Sequence, residues 1–303
     1  MHTKEIKKNI FLIDLETGGF KNLFGSYILK GTRTIIVETG PSSSIPNLLS
    51  GLEEIDIRVE NVAYIALSHV HLDHGGGAGS LLKFLPNAKI LVHPRGLPHI
   101  VNPDKLWLQS KEVLGRAAEV FGEPDSVPKD RIIAGSDGLT LDVGNQVLLT
   151  AVETLGHASH NLSYYESLHG GIFPGDTAGI YLCEFDAVIP TTPPPFRLDD
   201  TLSSLDKLMR LKPSALYYSH FGKASNVKKR LQNYCQQLKL WARITKEEVK
   251  NGHGLEEIQR RILEEDKVMQ KAASFIKSNS FYEKTMLENN VQGFNDYIKK
   301  YKI

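Results

Sequence analysis

The run Tyr64–His74, YIALSHVHLDH, with Gly75, Gly76 and Gly77 behind it, constrains this chain more than any other segment. Four side chains of metal-ligating type, His69, His71, Asp73 and His74, fall within six positions directly after an apolar, strand-like stretch. If the strand continues through them with its period of two, His69 and His71 point to one side and Val70 to the core. Asp73 and His74 then arrive where the chain must turn, and the glycines permit a close backbone approach before the next helix. Packing alone does not explain such a cluster, because polar groups buried together are unfavourable without a partner. Imidazole donors suit zinc, iron, manganese or cobalt better than magnesium or calcium, which prefer all-oxygen shells. The segment therefore reads as the start of a metal site at the end of a buried strand.

The surrounding chain supplies a fold for it. Apolar, β-branched runs predict strands at Ile10–Leu15, Tyr27–Leu29, Thr34–Glu38, Tyr64–Ser68, Lys89–Val92, Gln146–Glu153, Leu162–Glu166 and Ala215–Ser219. Helical spacing runs through Ile45–Glu54, Gly77–Phe84, Asp104–Phe121 and Thr201–Leu211, the last with Asp199 or Asp200 available as cap. Strands interleaved with helices imply an α/β domain. After Gly222 glycine becomes rare, and Lys, Glu, Gln and Leu dominate. Val227, Leu231, Tyr234, Cys235, Leu238, Trp241, Ala242 and Ile244 recur at helical spacing, a stripe for packing against the first domain, for a dimer contact or for a lid. Further helices are expected near Glu256–Asp266 and in the last thirty residues. The expected division is 1–222 for the catalytic domain and 223–303 for a helical C-terminal segment.

HVHLDH resembles the H-x-H-x-D-H signature of the metallo-β-lactamase superfamily, and three further segments are similar to that family's later motifs. These are TLGHASH at 154–160, FPGDTAG at 173–179 and YYSHFG at 217–222, which occur in the family's order. The resemblance implies a four-layer αβ/βα sandwich followed by the helical segment. It implies two divalent metals, with zinc expected and iron or manganese as the other choices. His69, His71 and His157 would hold the first, Asp73, His74 and His220 the second, and Asp176 would bridge them. It also gives Asp73 the catalytic task of handling the proton as the leaving group departs. His160 reads as a hydrogen-bond partner of a ligand rather than a ligand. His93 and His99 read as loop histidines, and of Tyr217 and Tyr218 one is expected in the core while the other can face the site.

Composition narrows the reaction without naming the substrate. Thirty-six basic residues balance thirty-five acidic ones for a net charge of +1, so no global field draws nucleic acid or an anionic membrane, and neither partner is expected. No stretch approaches the roughly 18 apolar residues of a membrane span. The start, MHTKEIKKN, does not read as a signal peptide, and Cys183 and Cys235 form no disulfide framework, so a cytoplasmic location is expected. Asp176 stands where antibiotic-hydrolysing members commonly carry cysteine, and His71 stands where the diiron oxygen-reducing branch usually carries glutamate. The resemblance thus implies a binuclear hydrolase acting through a metal-bridging hydroxide on a small thioester, ester or lactone, as the glyoxalase II-like and lactonase branches do. A nuclease of the same fold and a mononuclear iron persulfide dioxygenase are the alternatives. A homodimer is compatible with the helical stripe.

Overall fold

Strand-forming residues appear in the expected places, but more strands form than the apolar runs announce. The computed structural model describes residues 2–145, 147–278 and 280–301. The chain divides into two compact units. The first comprises Met1–Glu153, His160–Gly175 and Pro213–Ser225; the second comprises Thr154–Ser159, Asp176–Lys212 and Asn226–Ile303.

In the first unit seven strands form one sheet in chain order: β1 (Thr3–Lys7), β2 (Ile10–Asp14), β3 (Gly25–Leu29), β4 (Thr34–Val37), β5 (Val62–Ala66), β6 (Lys89–Val92) and β7 (Ile132–Ala134). Neighbours are antiparallel from β1 to β4 and parallel from β4 to β7. β4, TIIV, is buried at every position, which is why it reads as an unbroken apolar run, as covered parallel strands do. A six-stranded sheet contains β8 (Thr140–Gly144), β9 (Val147–Glu153), β10 (Leu162–Glu166) and β11 (Ile172–Phe173). The chain then forms the ribbon β12 (Ile180–Leu182) and β13 (Ala187–Ile189) of the second unit, and returns with β14 (Leu216–Tyr218) and β15 (Gly222–Ala224) to complete that sheet. Side chains of both large sheets meet in one core, where Leu12, Tyr27, Ile35, Val37 and Leu91 pack with Leu141, Leu149, Leu162, Tyr164 and Phe173.

Two core tyrosines, Tyr27 and Tyr164, carry their hydroxyls to backbone oxygens. Tyr27 donates to Tyr218 O at 2.7 Å, and Tyr164 donates to Leu67 O at 2.6 Å, holding the chain just past β5. Burial pushes both phenols well up, so they stay neutral donors. Tyr217 and Tyr218 are both buried, so neither faces solvent at the site.

Three expectations about local structure need correction. β5 ends at Ala66 rather than Ser68, and the chain leaves the extended conformation before the histidines. The next amide, Ser68 N, turns to the Glu38 carboxylate at 3.3 Å, and His74 N and Gly75 N bond back to His71 O, which makes Leu72–Gly75 a helical turn. His69 and His71 nevertheless reach one side, with His69 Nε2 3.0 Å from His71 Nδ1 and Val70 buried, although both lie beyond the end of β5. The helix expected over Asp104–Phe121 is broken at Gly115, whose φ of 58° ends Asp104–Leu114 and starts Arg116–Phe121. Asp199 and Asp200 lie in the first turn of the Leu198–Arg210 helix, not at its cap, where they still offset the helix dipole.

The second unit is mostly helical. Its long helix Val227–Lys250 buries Val227, Leu231, Tyr234, Leu238, Trp241 and Ile244 of the expected stripe, with Cys235 and Ala242 half-buried at its margins. It packs with the helices Leu198–Arg210, Leu255–Glu265 and Asn289–Tyr301. Buried Asp266 ties these together: Oδ2 accepts from Trp241 Nε1 and Gln237 Nε2, both at 2.8 Å, and Oδ1 caps the helix Lys267–Ile276 through Val268 N at 2.8 Å. No helix among the described residues is long and apolar enough to cross a membrane.

Asp266→Ala removes a cap and strands two buried donors. It should lower unfolding stability in urea by about 2–4 kcal/mol, and a loss within error of zero would contradict this role. Acid should weaken the same unit through a second group of residues. The Arg261 guanidinium first, and His253 next, hold Glu248 below the usual carboxylate range; Arg243 and then Arg261 do the same for Glu247 and Glu265. Depressed folded values mean that this stabilisation is complete above the unfolded carboxylate value of about 4.3 and is lost as pH falls through the folded values. Thermal midpoints measured from pH 6 down to 3 should fall, and Arg261→Ala should make that fall shallower.

Candidate metal centre

The carboxyl end of β4 carries Glu38, and the carboxyl end of β5 leads through Leu67 and Ser68 to His69. Loops at this edge of parallel strands are the usual location of a site in such sheets. Backbone contacts hold the helical turn Leu72–Gly75 in place: His74 O accepts from Thr39 N at 2.9 Å, Gly40 N at 3.1 Å and Thr39 Oγ1 at 2.9 Å. His220 follows β14, and its ring lies edge-on to Phe24 with centroids 4.9 Å apart.

Five expected ligands of the first unit come together. His69 Nε2 lies 3.0 Å from His71 Nδ1, and the rings of His69 and His74 are 4.1 Å apart at their centroids. His74 Nε2 lies 3.1 Å from His220 Nε2, and Asp73 Oδ2 lies 3.8 Å and 3.5 Å from those two nitrogens. His69, His74 and His220 are buried, while the Asp73 side chain keeps 24% exposure and so can be reached from outside.

The hydrogen bonds behind these rings decide where their protons sit. His220 Nδ1 faces Leu23 O at 3.1 Å, and a carbonyl only accepts, so Nδ1 bears the hydrogen and Nε2 the lone pair. His74 Nδ1 lies 3.4 Å from Glu38 Oε1, a carboxyl oxygen behind the ring. The two Nε2 atoms and an Asp73 oxygen converge on the other side. Such a group is stable around a cation, and Asp73, His74 and His220 have the donor types and spacing to hold one. The residues fit a zinc-type ion.

The second unit repeats the pattern with His157 and Asp176. His157 Nδ1 donates to Thr191 O at 2.9 Å, which leaves the Nε2 lone pair facing Asp176 Oδ2 at 3.5 Å. That oxygen also accepts from Thr191 Oγ1 at 3.3 Å. Thr177 Oγ1 links the two segments through Thr154 O at 3.2 Å. Gly175, the residue before Asp176, has φ of 53°, and a Cβ there would come within 2.5 Å of Ser68 Cβ, so glycine is required.

The remaining histidines lie nearby in lesser roles. The His160 ring is 6.3 Å from His69 and 6.0 Å from His71, and among the described residues it joins none of the converging ligand groups. His93 Nε2 is bonded to Glu153 Oε1 at 2.9 Å, and the His99 ring is 6.1 Å from His160. Glu248, His253 and Glu257 also converge, but Arg261 Nη1 already sits 2.6 Å from Glu248 Oε1, so a cation is present there without a metal. Sequence reasoning missed Glu38 and Thr191. Glu38 had a readable signal, an acid closing a fully apolar strand; Thr191 had none.

The sequence profile of the metallo-beta-lactamase superfamily matches residues 25–220, a stretch running from β3 to His220. The chain belongs to the metallo-β-lactamase superfamily. It has the α/β sandwich of that superfamily's hydrolase-type fold. A metallo-beta-lactamase fold-containing protein, ST1585 of Sulfurisphaera tokodaii, is 30% identical over 211 residues, covering 68% of this chain and 76% of the relative. The crystal structure of the archaeal superfamily protein ST1585 from Sulfolobus tokodaii superposes with a TM-score of 0.65 at 26% identity, covering 76% of this chain and 85% of the other. The metallo-beta-lactamase family protein TTHA1429 from Thermus thermophilus superposes with a TM-score of 0.67 over 98% of this chain and 95% of the other; at 18% identity it speaks for the fold alone.

The carboxylate behind His74 gives a direct test. Glu38→Gln keeps an acceptor for Ser68 N but removes the charge that fixes the imidazole. Metal affinity, measured by competition with a chromophoric chelator, should weaken about 10- to 100-fold. Unchanged affinity would show that Glu38 does not orient the ligand.

Proposed function

We propose that this protein is a binuclear metal-dependent hydrolase of a small thioester, ester or lactone. The observation supporting it is the convergence of ligand atoms of Asp73, His74 and His220 within 4.8 Å of one another, in a chain whose four motifs follow the superfamily's order. In this reading His69, His71 and His157 hold one ion, Asp73, His74 and His220 the other, and Asp176 bridges them. Residues 1–222 form the catalytic domain and 223–303 a helical C-terminal segment. Zinc is the expected metal because imidazole dominates the donor set, and iron and manganese are the alternatives. When bound, the two cations lower the pKa of a shared water towards about 7 and polarise the carbonyl under attack.

The chain's own residues do the rest. The backbone carbonyls of Leu23 and Thr191 keep Nδ1 of His220 and His157 protonated, so each Nε2 stays available as a ligand. Asp73, the most accessible member of its group, takes up a proton and returns it to the departing thiol or alcohol. No side-chain nucleophile is required. A near-neutral charge balance supports a small molecule over a nucleic acid as substrate.

Asp176→Ala should bind one metal equivalent in place of two and lose nearly all turnover. Elemental analysis of protein purified without added metal, paired with assays on thioesters, lactones, a phosphodiester and glutathione persulfide, provides the measurement. Two equivalents at full activity in the variant would overturn the ligand set. One iron with oxygen consumption in the parent protein would overturn the hydrolase.

A further inference from the structure

The helix Asn289–Tyr301 lies far along the chain from every motif, yet one of its side chains closes on the segment that orients His157 and Asp176. Asn290 is buried, and its amide is fully engaged. Oδ1 accepts from Thr192 N at 2.6 Å, and Nδ2 donates to Pro190 O at 2.8 Å and to Thr285 O at 3.2 Å. The Asn290 backbone oxygen accepts from Thr192 Oγ1 at 3.0 Å. A single amide thus bonds the carbonyl before Thr191 and the N–H after it, pairing with the backbone on both sides of that residue as a neighbouring strand would. Gly293, one turn further along the helix, allows this approach: a Cβ there would fall 1.7 Å from Thr192 O.

Thr191, held in this way, is the residue that touches both ligands. Its carbonyl takes the His157 Nδ1 hydrogen at 2.9 Å, and its hydroxyl donates to Asp176 Oδ2 at 3.3 Å. One contact selects the tautomer that presents Nε2, and the other aims the carboxylate. We propose that Asn290 is a positioning residue for the metal centre, clamping Thr191 so that the C-terminal helix sets the orientation of His157 and Asp176. The inference rests on the reading of those two residues as ligands. It gives the helical segment a part in metal binding that is separate from any contribution to stability, because the clamp acts on the 190–192 backbone and not on the apolar stripe of the unit.

The test compares Zn(II) affinity and the visible spectrum of the Co(II)-substituted protein for the parent chain, Asn290→Ala, Asn290→Asp and Asp266→Ala. Each is checked for a folded state by near-ultraviolet circular dichroism at the working temperature. Asn290→Ala removes all three side-chain bonds, and Asn290→Asp keeps the volume and the acceptor but loses the donor to Pro190 O. Both should weaken Zn(II) binding about 10- to 100-fold and shift the Co(II) bands, while Asp266→Ala, which destabilises the same unit without touching 190–192, should leave both readouts at parent values. If the folded Asn290 variants bind and absorb like the parent, the positioning role is wrong and the ligand reading stands. If Asp266→Ala changes the metal readouts as much as the Asn290 variants do, the role is merely structural and the proposal fails. If the parent chain itself binds no Zn(II) or Co(II), the ligand reading fails first.

Discussion

The Nε2 atoms of His74 and His220 face each other at 3.1 Å, and that of His220 carries its lone pair outward because Nδ1 is committed to Leu23 O. Asp73 Oδ2 reaches the same space. Imidazole nitrogens and a carboxylate gathered so closely are a donor set suited to a cation. The surrounding structure is arranged to preserve that opposition. The backbone of Thr39 and Gly40 grips His74 O, Tyr164 pins Leu67 O, and the helical turn Leu72–Gly75 brings Asp73 and His74 round from the strand end.

The same device recurs with different parts in the second unit. There the proton-setting partner is the Thr191 carbonyl and the opposing oxygen belongs to Asp176. In both cases a side chain of ligand type is held by a backbone carbonyl, Leu23 O for His220 and Thr191 O for His157. A backbone carbonyl suits this task because it can only accept, so it admits one tautomer of the ring. The Glu38 carboxyl lies 3.4 Å behind the His74 ring, close enough to act on its orientation.

Much of this was legible in the residues themselves, and what was not has identifiable causes. β4, β6 and β10 were readable because fully buried strands concentrate Ile, Val and Leu, and the Val227–Lys250 helix was readable from its apolar period. The strands Thr3–Lys7, Ile132–Ala134 and Thr140–Gly144 were not, since an edge or short strand owes its existence to a neighbour's ladder and not to its own apolarity. His69 and His71 meet on one side as the period-two argument expects, but from beyond the end of β5, where Ser68 N bonds to Glu38, thirty residues upstream. Asn290 lies 98 residues from Thr192 and resembles any helix asparagine.

The sequence by itself determined the superfamily, through imidazole and carboxylate groups in four ordered motifs, of which HVHLDH alone gathers four side chains of metal-ligating type in six positions. It also determined that a long amphipathic helix follows them. Only the tertiary structure decided which nitrogen of His220 and of His157 carries the hydrogen, because a tautomer depends on what faces the ring. Those partners, Leu23 O and Thr191 O, come from distant parts of the chain brought within hydrogen-bonding reach by folding. Local sequence specifies donor types; proton positions belong to contacts.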